Sequence, residues 1–223
     1  MPFETRGTAA KRIAVIGGGI SGMGAAYYLA EDSHVVLFEA ERRLGGHART
    51  IVAGKNGDQP VDTGFIVFNY RNYPHLTALF DALDVPVAKS NMSCGVSVGN
   101  GAMEYGLADI DTIFAQRRNF FRPSFVGMIR DILKFNREAE GAMRPGITVG
   151  ELCRDVGLGS WFLNHYLRPF SGAIWSTPTG QITDVPAESM IRFFRNHGLL
   201  RWHEQPQWYT VDGGSQEYVA RLG

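Results

Sequence analysis

Three glycines near the N-terminus have a spacing that suits the binding of a diphosphate. Gly17, Gly19 and Gly22 satisfy the pattern G-x-G-x-x-G. Its first glycine permits a tight turn from strand to helix, its second lets the backbone approach a pyrophosphate, and its third lets the helix pack closely on the strand. The unpaired N–H groups and the positive dipole end of a helix N-terminus favour an anion there. We therefore predict a pyrophosphate site formed by Gly17, Gly19, Ile20, Ser21 and Gly22.

A carboxylate follows at the distance that a dinucleotide requires. Glu39 lies about 20 residues beyond the glycines, where such sites place the acidic ligand of the adenosine ribose. A carboxylate at this point accepts hydrogen bonds from the ribose hydroxyls and repels the 2′-phosphate of NADP. The sequence therefore predicts a site for NAD or FAD.

The elements around the glycines are those that such a site needs. Residues 13–16 form an apolar run typical of a buried parallel strand, and residues 34–39 favour a second one. Between them, residues 23–30 favour a helix of small side chains. Strand, glycine turn, helix and strand in this order predict a right-handed βαβ unit.

The residues around Glu39 carry a second motif. Segment 38–47 reads Phe-Glu-Ala-Glu-Arg-Arg-Leu-Gly-Gly-His. It resembles the signature of the flavin-containing amine oxidase superfamily, which includes monoamine oxidases, protoporphyrinogen oxidase and phytoene desaturases. In that family the Gly-Gly pair is usually followed by Arg, whereas this chain has His47. The resemblance implies FAD as the cofactor and extends its site to Ala40, Arg43, Gly45, Gly46 and His47.

Two later segments extend the resemblance. Residues 61–65 are similar to the family's strand that passes near the isoalloxazine ring, which implies that Gly64 and Phe65 lie beside the flavin. Residues 211–215 resemble the point where the chain re-enters the FAD domain. The chain looks closest to a bacterial subgroup of predicted NAD/FAD-binding proteins, to which segments 65–69, 173–176 and 196–200 are similar. Family members continue well past residue 223, so the chain resembles an N-terminal portion.

The fold class expected is α/β, a Rossmann-type FAD/NAD(P)-binding domain with an inserted, mainly helical substrate domain. We place the first part of the FAD-binding domain at 11–70, the substrate domain at 71–205 and a truncated return to the FAD-binding domain at 206–223. The other predicted elements are a buried strand over 61–68, a helix over 72–83, a hairpin of residues 96–98 with 103–105, a largely helical region over 109–197, and a strand at 208–211 before a final helix.

Two details of the helical region lead to separate predictions. The apolar stripe from Phe125 to Leu133 is interpreted as core packing. Thr148 and Glu151 have the spacing of a capping box at a helix N-terminus.

Composition excludes several classes of protein. The chain has 22 Lys and Arg against 22 Asp and Glu, so its net charge does not favour binding to nucleic acid. Two widely separated cysteines and an N-terminus without an apolar segment predict a cytoplasmic protein. No apolar run is long enough to span a bilayer. His197 and His203 lack a carboxylate at ligand spacing, so no metal site is predicted.

A basic and aromatic cluster leaves two interpretations open. Arg117, Arg118 and Arg122 flank Phe120 and Phe121. One interpretation is a weak contact with lipid head groups at a membrane surface. The other, which we favour from the sequence, is a solvated turn whose two aromatic rings are packed into the core.

The resemblance implies an FAD-dependent oxidoreductase that transfers a hydride from a C–N or C–C bond of an apolar small molecule or lipid to the flavin. In such an enzyme the cofactor supplies the chemistry and the protein supplies orientation and exclusion of water. His47 is the one candidate for a polar catalytic group; the alternative is a loop histidine that bonds only backbone. An NAD-dependent dehydrogenase and a non-catalytic dinucleotide-binding module remain the alternative functions.

Overall fold

The computed structural model describes residues 10–175, 177–201 and 206–223. The chain divides into two compact units, of which the first runs to Asn91 and resumes at Gln207–Gly223, while the second lies between them. The first boundary therefore falls after residue 91, whereas residue 70 was expected. The predictions for the N-terminal segment, for residue 176 and for His203 lie outside the described residues.

The first unit consists of two chain segments. The N-terminal segment contains both helices and strands, and the C-terminal segment adds one strand and one helix. The elements of the N-terminal segment are β1 Lys11–Ile16, α1 Ile20–Leu29, β2 Ser33–Phe38, β3 Thr50–Ala53, β4 Gln59–Asp62, α2 Pro74–Ala82 and β5 Val87–Ser90. The second unit contains β6 Gly95–Val98, β7 Met103–Gly106, α3 Ile110–Ile113, α4 Pro123–Glu138, α5 Val149–Val156, α6 Ser160–Phe162, α7 Arg168–Trp175 and α8 Ala187–Asn196. The first unit then resumes with β8 Trp208–Val211 and α9 Gln216–Leu222.

The predicted βαβ unit is confirmed. Strands β1 and β2 pair in parallel over their whole length, from Lys11 opposite Ser33 to Ile16 opposite Phe38. Helix α1 begins at Ile20, three residues earlier than expected, because the backbone of Gly19 already accepts a hydrogen bond from the amide of Met23 at 2.9 Å. The helix therefore starts directly at the glycine turn.

Only one face of this two-stranded sheet is covered, whereas fully buried strands were expected. Val15 and Leu37 are half-buried on the side of α1, while Ile16 and Phe38 on the opposite side are 79% and 53% exposed. Side chains of a strand alternate between the two faces of its sheet, so the exposure alternates along both strands. Within the described residues no element packs on the second face.

The strand predicted over 61–68 is shorter than expected, because the chain changes partners there. Strand β4 ends at Asp62, after antiparallel pairing with β3. The amide of Thr63 still donates to the carbonyl of Arg49, but Phe68 exchanges hydrogen bonds with Tyr209 of β8. Residues 63–67 therefore link two sheets.

An aromatic cluster holds the first unit together. Phe68 and Phe80 contact edge to face with ring centroids 5.2 Å apart, and Phe80 stacks on Tyr218 at 4.9 Å. All three side chains are at most 2% exposed. Because Phe80 lies on α2 and Tyr218 on α9, this cluster explains why α2 belongs to the first unit.

The second unit combines one hairpin with helices, as predicted. Strands β6 and β7 pair across a turn in which Asn100 and Gly101 have positive φ. Helix α4 buries a face with a helical spacing of three and four residues, formed by Phe125, Met128, Ile132 and Phe135. Leu133, which was predicted to be core, is 46% exposed because it lies off this face.

The expectation that Phe120 and Phe121 pack into the core is wrong. They are 62% and 83% exposed at the surface of a 3₁₀ turn, Arg117–Phe121. The residue of this turn that faces the interior is Asn119, whose side-chain amide donates to the carbonyl of Glu104 at 3.1 Å. Because this hydrogen bond holds the Asn119 side chain on the inner side of the turn, the neighbouring rings of Phe120 and Phe121 face outward.

The capping box predicts a measurable contribution to stability. Thr148 Oγ1 accepts the amide of Glu151 at 3.2 Å, and the Glu151 carboxylate accepts the amide of Thr148 at 2.8 Å. We expect Thr148→Ala to lower the free energy of unfolding by about 1 kcal/mol, whereas Thr148→Ser, which keeps the hydroxyl, retains most of it. Urea unfolding checks this; equal stability of the two variants would contradict the role of the hydroxyl.

Candidate dinucleotide-binding site

The glycine turn after β1 depends on close approach of backbone to backbone. Gly17 has φ +100°, and its amide donates to the carbonyl of Phe38 at 2.7 Å. A Cβ added at Gly22 would lie 1.8 Å from the carbonyl oxygen of Gly17. No side chain fits there, so α1 can begin at the end of β1 only with glycine at position 22.

The second glycine pair forms a loop that lies against the first. The amide of Gly45 donates to the carbonyl of Gly18 at 2.7 Å. A Cβ at Gly46 would lie 3.1 Å from Gly19 Cα, and Gly45 and Gly46 both have positive φ. The structure thus brings the two predicted glycine motifs together at the N-terminus of α1.

Glu39 closes the other side of the turn. Its carboxylate accepts hydrogen bonds from the amides of Glu41 and Gly18. These two bonds hold the pKa of Glu39 below its ordinary value. The side chain is therefore ionised at neutral pH and lies beside the buried Gly18, which places a fixed negative charge at the end of β2.

A cavity of about 550 Å³ opens at the glycine turn. Nine of the predicted site residues line it, namely Gly17, Gly19, Ile20, Ser21, Gly22, Gly45, Gly46, His47 and Phe65. Five further residues line it that sequence reasoning did not place in the site, namely Ile16, Ala48, Tyr73, Leu76 and Tyr218. Glu39 is not among the lining residues.

The remaining predicted site residues lie next to the cavity without lining it. Arg43 donates to the carbonyl of Gly46 at 2.9 Å and pairs with Glu41 at 3.3 Å, so it supports the second glycine loop. Gly64 packs on the carbonyl of His47, where a Cβ would lie 2.0 Å from the oxygen. Ala40 follows Glu39 and does not reach the cavity.

Three of the missed residues come from helices that the sequence presents as core. Tyr73 and Leu76 lie at the start of α2, whose apolar spacing predicts packing and gives no sign of a cavity. Tyr218 lies on α9, and burial together with the nearby charge of Asp62 raises its pKa to about 12. The Gly213-Gly214 pair before α9 was the one signal that could have led to it, because glycines with positive φ mark a tight turn.

A polar cluster joins strands β3 and β4 to the segment that follows β8. Asp62 accepts hydrogen bonds from Thr50 Oγ1 at 2.6 Å, from the amide of Ser215 at 2.9 Å and from Ser215 Oγ at 2.8 Å. Thr50 Oγ1 in turn accepts the amide of Gln216 at 3.0 Å. Ser215 is 1% exposed, so this cluster satisfies buried polar groups at the start of α9.

The groups around the cavity suit binding and orientation rather than covalent catalysis. Backbone amides and a helix N-terminus bind phosphate, an ionised carboxylate binds sugar hydroxyls, and apolar side chains contact a ring system. Both cysteines lie in the second unit. Burial raises the pKa of Cys94 and that of Cys153, the latter to about 12. They are therefore thiols at neutral pH.

In the described part of the chain, no group of three or more His, Cys, Asp or Glu side chains is arranged to hold a metal ion. Among the helices described, none combines the length and the apolar character that crossing a membrane requires.

Comparison with known proteins matches the first unit to a sequence family. Residues 15–83 match the NAD(P)-binding Rossmann-like domain. A stretch of 49 residues is 47% identical to mitochondrial protoporphyrinogen oxidase of Nicotiana tabacum, which covers 22% of this chain and 10% of that protein. The matched family segment contains both glycine motifs and Glu39.

Solved structures show the same fold over nearly the whole chain. Cyclohexylamine oxidase from Brevibacterium oxydans aligns with a TM-score of 0.63 at 18% identity over 96% of this chain, and putrescine oxidase with 0.62 at 18% identity over 96%. A putative protoporphyrinogen oxidase from Exiguobacterium aligns with 0.56 at 20% identity over 97%. The chain spans about half the length of these proteins, 48%, 49% and 51% respectively. The predicted resemblance is thus confirmed in two respects: residues 15–83 match an NAD(P)-binding Rossmann-like domain in sequence, and nearly the whole chain shares the fold of these oxidases.

Proposed function

We propose that this chain provides the dinucleotide site and the substrate domain of an FAD-dependent oxidoreductase. The reaction is transfer of a hydride from a C–N or C–C bond of an apolar small molecule or lipid to the flavin. FAD, when bound, supplies the acceptor for that hydride. The one observation that carries the proposal is the open space at Gly19.

The protein itself does not explain why residue 19 is a glycine. A Cβ at Gly19 would meet no protein atom within 4 Å, and its φ of −72° is accessible to any residue. Gly22, in contrast, is required by the Gly17 carbonyl. A glycine that faces a cavity without a protein contact supports close approach of a bound group, here the pyrophosphate.

The cavity favours FAD over NAD. It is lined by the glycines of the turn and not by Glu39, which suits the half of the dinucleotide beyond the phosphates. Its lining includes Phe65, Tyr73, Leu76 and Tyr218, whose apolar and aromatic side chains suit a large planar ring. The Gly45–Gly46 loop, on which the family resemblance rests, lies at the same cavity.

The protein groups have separate roles in this proposal. The amides at the start of α1 bind the phosphates, and ionised Glu39 binds the adenosine ribose and repels a 2′-phosphate. His47 is exposed at the cavity and offers a polar group near the flavin. The apolar walls exclude water from the reacting end.

Two alternatives and a location accompany the proposal. An NAD-dependent dehydrogenase would use the same glycines and Glu39, and a non-catalytic module would bind the dinucleotide without reducing it. We also propose a cytoplasmic location, which rests on two cysteines that are both unpaired in the structure.

FAD and NAD should act differently on the stability of this chain. A ligand that binds only the folded state raises the melting temperature, and at a given concentration a tighter ligand raises it more. We expect FAD to raise it and NAD to have little effect, with quenching of FAD fluorescence on binding. Stabilisation by NAD alone would favour the dehydrogenase, and FAD that no amine or unsaturated substrate ever bleaches would favour the non-catalytic module.

The two glycines of the turn should respond differently to substitution. Gly19→Val should abolish FAD binding and leave the melting temperature nearly unchanged, because the branched side chain occupies the space for the pyrophosphate and its Cβ would meet no protein atom within 4 Å. Gly22→Ala should lower the melting temperature, because its methyl group overlaps the Gly17 carbonyl. Unchanged FAD affinity in Gly19→Val would refute the placement of the phosphates.

The second unit carries a surface that supports weak membrane contact. Ile110, Phe120 and Phe121 are 75%, 62% and 83% exposed. Arg118 and Arg122 donate to backbone carbonyls of the β6–β7 turn, which holds both guanidinium groups beside the exposed aromatic rings of this surface. We propose that this aromatic and basic cluster contacts an anionic lipid surface.

Vesicle binding tests the membrane proposal. We expect the wild-type chain to sediment with vesicles of phosphatidylcholine and phosphatidylglycerol, and the double variant Phe120→Ser, Phe121→Ser to lose that binding. Leu133→Ser is the matched control, because Leu133 is also exposed but lies on α4 away from the cluster. Equal loss in the control, or none in the double variant, would overturn the proposal.

A further inference from the structure

The cluster of Asp62, Thr50 and Ser215 lies outside the cavity but is connected to it through helix α9. Asp62 accepts both the amide and the hydroxyl of Ser215, and Thr50 bonds the amide of Gln216. These bonds join residues separated by more than 150 positions in sequence, since Asp62 and Ser215 are 153 apart. They fix the position of the first turn of α9.

The turn before α9 allows no other arrangement. Gly213 and Gly214 both have φ +86°, which L side chains rarely adopt. A Cβ at Gly214 would lie 2.7 Å from Thr50 Oγ1 and 3.1 Å from Asp62 Oδ1. The polar cluster therefore packs directly on the backbone that leads into α9.

Helix α9 then contacts the dinucleotide cavity at two points. Tyr218, one turn after Ser215, lines the cavity and stacks on Phe80. Val219 packs against the second glycine loop, because a Cβ at Gly45 would lie 3.0 Å from Val219 Cγ2. Gly45 in turn bonds Gly18 in the first glycine turn. A shift of α9 therefore moves the wall of the cavity and the support of the Gly45–Gly46 loop together.

We propose that Asp62 is a positioning residue for the flavin half of the site: by holding Ser215 and Thr50 it fixes α9, and through Tyr218 and Val219 it sets the shape of the cavity beyond the pyrophosphate. The proposal rests on the proposed FAD function. It assigns to Asp62 a role at a distance, distinct from that of Glu39, which lies on the adenosine side and shares no contact with the cluster.

The proposal requires loss of affinity for FAD without loss of affinity for the adenosine half. Thr50→Val keeps the shape of the side chain and a strand-forming residue but loses the hydroxyl that bonds Asp62 and Gln216. Thr50→Ser restores the hydroxyl. Asp62→Asn removes the charge and one acceptor, and Asp58→Asn is its control, because Asp58 is an exposed carboxylate in the turn between β3 and β4.

The experiment measures two ligands with each variant of this chain: FAD by fluorescence titration and AMP by calorimetry. We expect the FAD dissociation constant to rise about tenfold or more in Asp62→Asn and Thr50→Val, as for lost hydrogen bonds to a charged group. The AMP dissociation constant should stay unchanged, and Thr50→Ser and Asp58→Asn should behave as wild type. The fine structure of the bound flavin's visible absorption band should be less resolved in Asp62→Asn and Thr50→Val.

Each outcome separates positioning from a purely structural role. A fall in the folded fraction weakens AMP and FAD equally, so parallel losses would overturn the proposal, as would wild-type FAD affinity in Thr50→Val. If Asp62→Asn does not fold, the comparison of Thr50→Val with Thr50→Ser decides between positioning and a purely structural role. A wild-type chain that binds AMP but not FAD would refute the proposed function, and one that binds neither would refute the dinucleotide site altogether.

Discussion

The site depends on how closely helix α1 approaches the end of strand β1. At Gly22 the helix touches the carbonyl of Gly17, and this contact leaves the first amides of α1 directed at the space before it. The second glycine loop can bond Gly18 only because Gly45 and Gly46 also lack side chains. The rest of the cavity is built around this backbone contact, and the proposed anion site at the N-terminus of α1 depends on it.

Local patterns predicted the parts of the fold that local chemistry determines. The G-x-G-x-x-G spacing, the capping box of Thr148 and Glu151 and the β6–β7 hairpin each need only a few neighbouring residues, and each is found where expected. The strand predicted over 61–68 is too long because the chain at Phe68 bonds Tyr209, a partner more than 140 positions away in sequence. The predicted burial of Phe120 and Phe121 is wrong because Asn119, whose side chain bonds the carbonyl of Glu104, is the residue of this turn that faces inward.

The same distinction explains which site residues were missed. Gly17 to Gly22 and Gly45 to His47 belong to contiguous motifs that the sequence displays. Tyr73, Leu76 and Tyr218 reach the cavity only because the Phe80–Tyr218 stack and the Asp62–Ser215 bonds bring α2 and α9 to it. Apolar spacing predicts that a helix packs, but it does not indicate against which surface.

The uncovered face of β1 and β2 has a consequence for the behaviour of this chain in solution. Ile16 and Phe38 stand side by side there, and the outer backbone edges of the two strands are not bonded to a further strand in the described residues. An apolar face that ends in open peptide groups is a template on which another strand can grow. An added strand would therefore pair at the open edges of the sheet that holds the glycine turn, where it would extend the exposed apolar face opposite helix α1.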